Sequence, residues 1–173
     1  MKFPSFFFLV VVCTFTHTVR TIYEVLKHKK KLTPNKLTFV IIFINMTLLW
    51  VSWIALCIMD SFKILLPGIL HDFGLLLCIT GLTTFVTALF TIKTLETYDG
   101  DLITNGIYSK IRHPMYTGFI LWSIGFPIYF GAVYASILSL VFIANILFWR
   151  YLEEIELEKR FPGYKEYKVK TLF

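Results

Sequence analysis

Apolar runs of close to twenty residues alternate along this chain with short polar stretches, most of them basic. A run of that length matches what an α-helix needs to cross a hydrocarbon core of roughly 30 Å, at about 1.5 Å of rise per residue. The runs are Phe3 to about Val19, Leu37–Met59, Phe73–Ile92, Pro114–Tyr129 and Ala132–Trp149. They predict an all-α integral membrane bundle of about five transmembrane helices. Thr33 and Pro34 read as N-cap and first-turn proline of the second helix, and Asp72 as N-cap of the third. Pro127 and Gly131 close the fourth. The fifth run continues without a breaker into RYLEEIELEKRF, so its helix is expected to extend into water as far as Pro162 and Gly163.

The first run follows Lys2 and has the length of a secretory leader, but no small-residue cleavage site follows it. It is read as a retained helix. The expected organisation is one membrane domain over 1–173, with helices one to three in 1–92. A cofactor-binding loop, a helical hairpin and a C-terminal tail then fill 93–173.

Composition agrees with the pattern. Of the residues, 57% are hydrophobic and only 16% charged, which excludes an ordinary soluble domain. All Lys and Arg except Lys2 and Lys63 fall within 20–36, 93–112 and 150–170. Basic loops stay on the cytoplasmic side, so this asymmetry predicts an outside N-terminus, with the central loop and the C-terminus cytoplasmic. The +6 net charge is therefore a topology signal, and no nucleic-acid partner is inferred from it. Cys13, Cys57 and Cys78 lie inside apolar runs without ligand spacing and read as small buried hydrophobes. No metal is expected.

Two polar groupings are candidates for chemistry. The first is GDLITNGIYSKIRHPMYTG, Gly100 to Gly118, in which Tyr108, Arg112, His113 and Tyr116 stand within nine positions. Pro114 there suits the first turn of a helix, whose unpaired backbone N–H groups can hold an anion. Singly, Arg112 would be an inside-positive charge, His113 a polar cap and Tyr116 an interface aromatic; their clustering raises the functional reading. The second is Arg150, Glu153 and Glu154, on one helical face where the fifth helix leaves the bilayer. Ionisable groups are costly at that boundary and tend to line a cavity or face a partner. Glu156 to Arg160 and Glu166 to Lys170, by contrast, fit an ordinary solvated charge ladder.

Together these residues carry a resemblance. The pattern GxYxxxRHPxYxG (Gly106, Tyr108, Arg112, His113, Pro114, Tyr116, Gly118), a helical hairpin, then Arg150, the Glu pair, Leu157, FxGY and a further Tyr resembles the isoprenylcysteine carboxyl methyltransferase family. Membrane phospholipid N-methyltransferases look similar over the same region, about residues 95–167. The resemblance implies S-adenosylmethionine as cofactor, held by Leu102, Ile103, Tyr108, His113, Pro114, Met115, Tyr116 and one of Glu153 or Glu154. It also implies that Arg150 faces the substrate, and that Arg150, Glu153 and Glu154 form the catalytic set. The register differs by one: Trp149 stands four before Glu153, where the family pattern has the arginine, and Arg150 stands four before Glu154. Which glutamate meets the cofactor, and whether Arg150 points at substrate, stay open at this level.

The residues support methyl transfer in their own right. Neither a GxGxxG nor a P-loop pattern occurs, so a nucleotide-like cofactor would rest on this loop and helix mouth. Displacement at a sulfonium methyl needs in-line positioning and dryness more than acid or base groups. The expected acceptor is lipophilic and enters from the bilayer among membrane lipids, the carboxylate of a prenylated cysteine or a similar lipid-like acid first. The alternatives are a phospholipid amine, an NADPH-dependent sterol or enone reductase, and a non-enzymatic scaffold. The reductase would want more basic residues about a 2′-phosphate, and the scaffold leaves the clustering unexplained.

Overall fold

The computed structural model describes residues 2–92 and 100–173. Residues 93–99, where the polar loop and the family resemblance begin, lie outside the described residues. The helices are α1 (Lys2–His28), α2 (Lys36–Ile58), α3 (Gly68–Ile92), α4 (Pro114–Phe130), α5 (Val133–Arg160) and α6 (Tyr164–Lys170), with a 3-10 turn at Gly106–Ser109 before α4. Among the described residues, α1, α2, α3 and α5 are long and apolar enough to cross a membrane. The 17 residues of α4 span only about 25 Å, so it is the short member of an all-helical, multi-pass membrane bundle.

Three helix starts or ends differ from expectation. α1 does not stop at Val19 but runs on to His28. Nothing in the sequence breaks it there: Arg20 pairs with Glu24 one turn on, and the helix ends only where Lys30 adopts a left-handed φ of 54°. The N-cap of α2 is Asn35, not Thr33. Its Oδ1 accepts from the Thr38 amide at 2.9 Å while Thr38 Oγ1 accepts from the Asn35 amide at 2.7 Å, a reciprocal pair that Thr33 could not make from two residues upstream. α3 starts at Gly68, with the Pro67 carbonyl accepting from Leu70 and His71, so Asp72 is an exposed residue of the first turns and caps nothing.

Packing follows small residues. Gly74 and Gly81 of α3 meet Gly125 and Gly118 of α4 in antiparallel register, and a Cβ at any of the four would come within 2.6–2.9 Å of facing atoms. Backbones approach this closely only where side chains are absent, which is how helices associate in lipid. Trp122 Nε1 adds a bond to the Cys78 carbonyl at 3.2 Å. α1 pairs with α2 through Asn45 Nδ2 to the Thr16 carbonyl and Cys13 Sγ to Ser52 Oγ, both at 3.1 Å. α5 joins α1 where Trp149 Nε1 donates to Thr21 Oγ1 at 2.9 Å and His17 stacks on Phe142. α2 and α3 hardly touch.

At the end opposite the polar loop, buried Asp60 ties the turn after α2 to the start of α5. Its Oδ1 accepts from the Phe62 amide and its Oδ2 from the Ala135 amide, each at 2.8 Å. The second bond supplies α5 with a capping carboxylate from a residue 75 positions away. The α4–α5 turn passes through Gly131 at φ 61°, where a Cβ would sit 2.2 Å from the Ile64 carbonyl oxygen, so only glycine fits.

Candidate functional site

The site grows from the start of α4. Pro114 is the first helical residue and needs no amide partner there, which leaves His113 as the N-cap, buried at 5% exposure. His113 Nε2 lies 3.3 Å from both Glu154 Oε1 and the Tyr164 hydroxyl, and its Nδ1 lies 3.9 Å from Glu153 Oε2. The two glutamates thus approach the imidazole from different sides.

Their surroundings separate them. Glu154 is 9% exposed and saturated: Oε1 also accepts from Arg112 Nε at 3.3 Å, and Oε2 from Lys168 Nζ at 2.9 Å. Glu153 is 42% exposed and faces the cavity described below, with His113 and Tyr116 as its neighbours. Adjacent residues on a helix point about 100° apart, so one faces the protein and the other the void.

Arg112 fastens the C-terminal segment to the loop. Its Nη1 donates to the carbonyls of Lys168 and Thr171, each at 2.7 Å. Its backbone amide donates to the Leu172 carbonyl at 2.9 Å, while the Leu172 amide donates to the Lys110 carbonyl at 2.8 Å. Tyr167, from α6, donates to the Tyr108 carbonyl at 2.6 Å. Burial pushes the hydroxyls of Tyr108, Tyr164 and Tyr167 above the usual phenol range, so all three keep their protons. Lys168 is held above its ordinary value, first by its bond to Glu154 and then by that to Glu158.

A cavity of about 1250 Å³ opens beside this network. Leu102, Ile103, Tyr108, His113, Pro114, Met115, Tyr116 and Glu153 all line it. Below this polar mouth it continues between α2, α3 and α4, past Trp50 and Phe85, to Trp122, Phe126 and Cys78. Measured along α4 from His113 to Phe126 it is about 20 Å deep. Its apolar part is lined by side chains of both α2 and α3, two helices that make little contact with each other.

The structure therefore brings together every sequence-predicted cofactor residue except Glu154, which stands behind His113 as its support. Arg150 does not line the cavity; its guanidinium lies 4.4 Å from the ring centroid of Phe173. The one-residue shift in register has a structural reading: position 149 holds Trp149, buried against α1, and position 150 is turned away toward the tail.

Sequence reasoning passed over a further part of the wall. Arg20, Glu24 and Lys27 of α1 line the same cavity. Their i, i+4, i+7 spacing at the end of an apolar run was the available signal, the same boundary argument applied to Arg150. Arg112 and Tyr167, seen singly, gave no sign of the long-range bonds they make.

Comparison with known proteins bears on what this arrangement does. The chain is 30% identical over 112 residues to protein-S-isoprenylcysteine O-methyltransferase B of Arabidopsis thaliana, covering 60% of this chain and 51% of that protein. It is 32% identical over 112 residues to the protein-S-isoprenylcysteine O-methyltransferase of Saccharomyces cerevisiae, 57% of this chain and 45% of that one. The enzyme of the same name from Tribolium castaneum matches at 33% over 87 residues, 43% of this chain and 30% of that protein. The chain spans about half the length of the first curated relatives it matches. No solved structure matches it. The family model described as phospholipid methyltransferase matches residues 69–163. That stretch holds α3, the loop, His113, both glutamates and the cavity's close-packed wall, and it is more than half the sequence: this chain belongs to the phospholipid methyltransferase family.

Proposed function

We propose that the protein is an S-adenosylmethionine-dependent methyltransferase that works at the membrane boundary on a lipophilic acceptor. The acceptor favoured is the carboxylate of a prenylated cysteine or a similar lipid-like acid. The observation that carries this reading is the continuity of one cavity, polar at the mouth where His113, Tyr108 and Glu153 converge and apolar where it runs between α2, α3 and α4. A polar cofactor and a lipid-like acceptor need such a space to meet. The names of the relatives, and the family match over the mouth, support the same reaction class.

The residues present fit the cofactor. Glu153 offers a partly exposed carboxylate for a cationic group, and Leu102, Ile103, Pro114 and Met115 give apolar contact beside it. When bound, S-adenosylmethionine supplies an electrophilic methyl group on a sulfonium. The chain's own work is positional. Buried His113, held at Nε2 by Glu154 and Tyr164, shapes the mouth. Tyr116 of α4 lies within hydrogen-bonding reach of Glu153. The aromatic wall of Trp50, Phe85, Phe119 and Trp122 keeps water from the acceptor's approach. A carboxylate acceptor is already ionised at neutral pH and requires no base; holding it in line is the main demand. An amine acceptor would need one, and Glu153 is the group in place to take that proton, which keeps the phospholipid N-methyltransferase reading as second. The loop and C-terminus are assigned to the cytoplasm, on the distribution of basic residues.

The test is calorimetric binding of S-adenosylhomocysteine to the detergent-purified protein, with NADPH in parallel. Saturable binding of the first, lost in His113→Ala and weakened in Glu153→Ala, is the expected result. Binding of NADPH alone would overturn the proposal.

A further inference from the structure

The segment that Arg112 fastens to the loop leaves its outer face bare. Val169 is 88% and Leu172 73% exposed, although both belong to a stretch bonded closely to the site. We infer that residues 164–173 form an interfacial strap. Its inner face builds the cavity mouth, and its outer face rests among the phospholipid headgroups of the membrane that the bundle spans, so that docking on lipid holds the mouth in shape. The effect on the cofactor rests on the methyltransferase reading; the docking on lipid does not.

The inner face is committed to the site. Tyr164 and Tyr167 of α6 are buried and line the cavity, one beside His113 and the other donating to the Tyr108 carbonyl. Thr171 Oγ1 donates to the Tyr167 carbonyl at 2.8 Å and carries the bonding past the end of α6. Positions two apart on a helix point about 200° apart, so Val169 is turned away from Tyr167 and from the cavity.

Two separate contacts set the height of the strap. The backbone of Leu172 pairs with Lys110 and Arg112, directly before the first turn of α4. The ring of Phe173 lies 4.4 Å from the guanidinium of Arg150, the first charged residue after the apolar run of α5. Each contact is made where an apolar helix passes into polar sequence, so the strap runs along the membrane boundary instead of reaching out into water. The bare apolar surface of α5 continues up to this level through Phe148 and Tyr151, the latter an aromatic of the kind that settles at the headgroups. Val169 and Leu172 add two apolar side chains at the same height.

The charges on the strap suit the same surroundings. Lys165 and Lys170 are exposed, next to one acidic residue, Glu166, while Lys168 is engaged by Glu154 and Glu158. Lysine stems lie along apolar surface and carry their ammonium groups to phosphates, and a short stretch that mixes such lysines with apolar side chains lies in the interface plane. With Val169 and Leu172 in lipid, the strap is held from outside as well as by Arg112 and Tyr167 from within. Loss of that outer hold frees Tyr164 and Tyr167 to leave His113 and Tyr108.

The test uses the full chain in phospholipid nanodiscs. The native cysteines are buried, so a fluorophore placed on Leu172→Cys, and separately on Val169→Cys, reports the strap, with wild type as the labelling control. Strong quenching by lipids spin-labelled near the top of the acyl chain, and weak quenching by aqueous iodide, is the expected result; the reverse pattern overturns the inference. In the second arm, calorimetry in the same nanodiscs should show S-adenosylhomocysteine binding weakened about fivefold in Val169→Ser/Leu172→Ser and retained in Val169→Ile/Leu172→Met. The melting temperature of the serine variant should stay unchanged, since neither side chain packs inside the protein. Unaltered affinity in the serine variant, or a loss matched by a fall in melting temperature, overturns the link between lipid docking and the mouth. Failure of S-adenosylhomocysteine to bind the wild type would strike the methyltransferase reading instead, and the quenching pattern would still decide the docking.

Discussion

Replacing Gly81 by alanine adds one methyl group within the close α3–α4 contact. The new Cβ would lie 2.9 Å from the Gly118 carbonyl oxygen, 2.9 Å from Trp122 Cδ1 and 3.0 Å from Leu121 Cβ. That is about half an ångström inside ordinary contact on three sides, and one obstacle is backbone, which cannot swing aside. Overpacking of this kind costs about 1–3 kcal/mol, against which alanine returns up to about 1 kcal/mol of helix propensity. The control is Gly68→Ala at the start of α3, where a Cβ meets nothing within 4 Å and only the stabilising part, about 0.4–1 kcal/mol, applies. The two variants should differ by about 2 kcal/mol. For a chain of this size that is about 4–8 °C in apparent melting temperature in detergent. Gly118, which Gly81 faces, is five positions from His113, so displacement of α4 should also weaken S-adenosylhomocysteine binding in Gly81→Ala and leave it intact in Gly68→Ala. Equal melting temperatures for the two variants would refute the close-packing argument, however either one binds ligand.

Other predictions follow from the buried polar groups. Asp60→Ala leaves the amides of Phe62 and Ala135 without their acceptor and should cost about 2–4 kcal/mol, read as a fall in detergent melting temperature; Asp60→Asn, which keeps one acceptor oxygen, should cost less. Glu153→Gln and Glu154→Gln should separate: the first weakens S-adenosylhomocysteine binding by calorimetry with little change in melting temperature. The second lowers the melting temperature more, because Arg112, His113 and Lys168 lose a shared anion. Tyr167→Phe removes the donor to the Tyr108 carbonyl, at a cost of about 1 kcal/mol, and should raise the S-adenosylhomocysteine dissociation constant through loosening of the loop; limited proteolysis of the loop provides an independent readout.

Much of this protein was legible along the chain, for a definite reason. Crossing a bilayer requires long apolar helices whose backbone groups are satisfied internally, so hydrophobic run length alone located the helices α1 to α5. The same economy made Pro114 a helix start and placed its neighbours Tyr108, His113 and Tyr116 at one mouth. Helix ends were less legible. Asn35, Gly68 and His28 bound their helices through side-chain and turn geometry spanning a few residues, which apolar length does not encode.

What only the tertiary structure decided was which polar residues share a space. Sequence spacing put Arg150, Glu153 and Glu154 on one face. The helix's actual rotation in the bundle gave Glu154 to Arg112, His113 and Lys168, Glu153 to the cavity, and Arg150 to Phe173. A rotation of about 100° per residue turns adjacent side chains to different neighbours, and only the positions of the other helices say which neighbours those are. The same holds for Arg20, Glu24 and Lys27, basic flank in one dimension and cavity wall in three. Local periodicity follows from the backbone of each helix alone, whereas partnership between residues more than a hundred positions apart, such as Thr21 and Trp149, exists only once the bundle has closed.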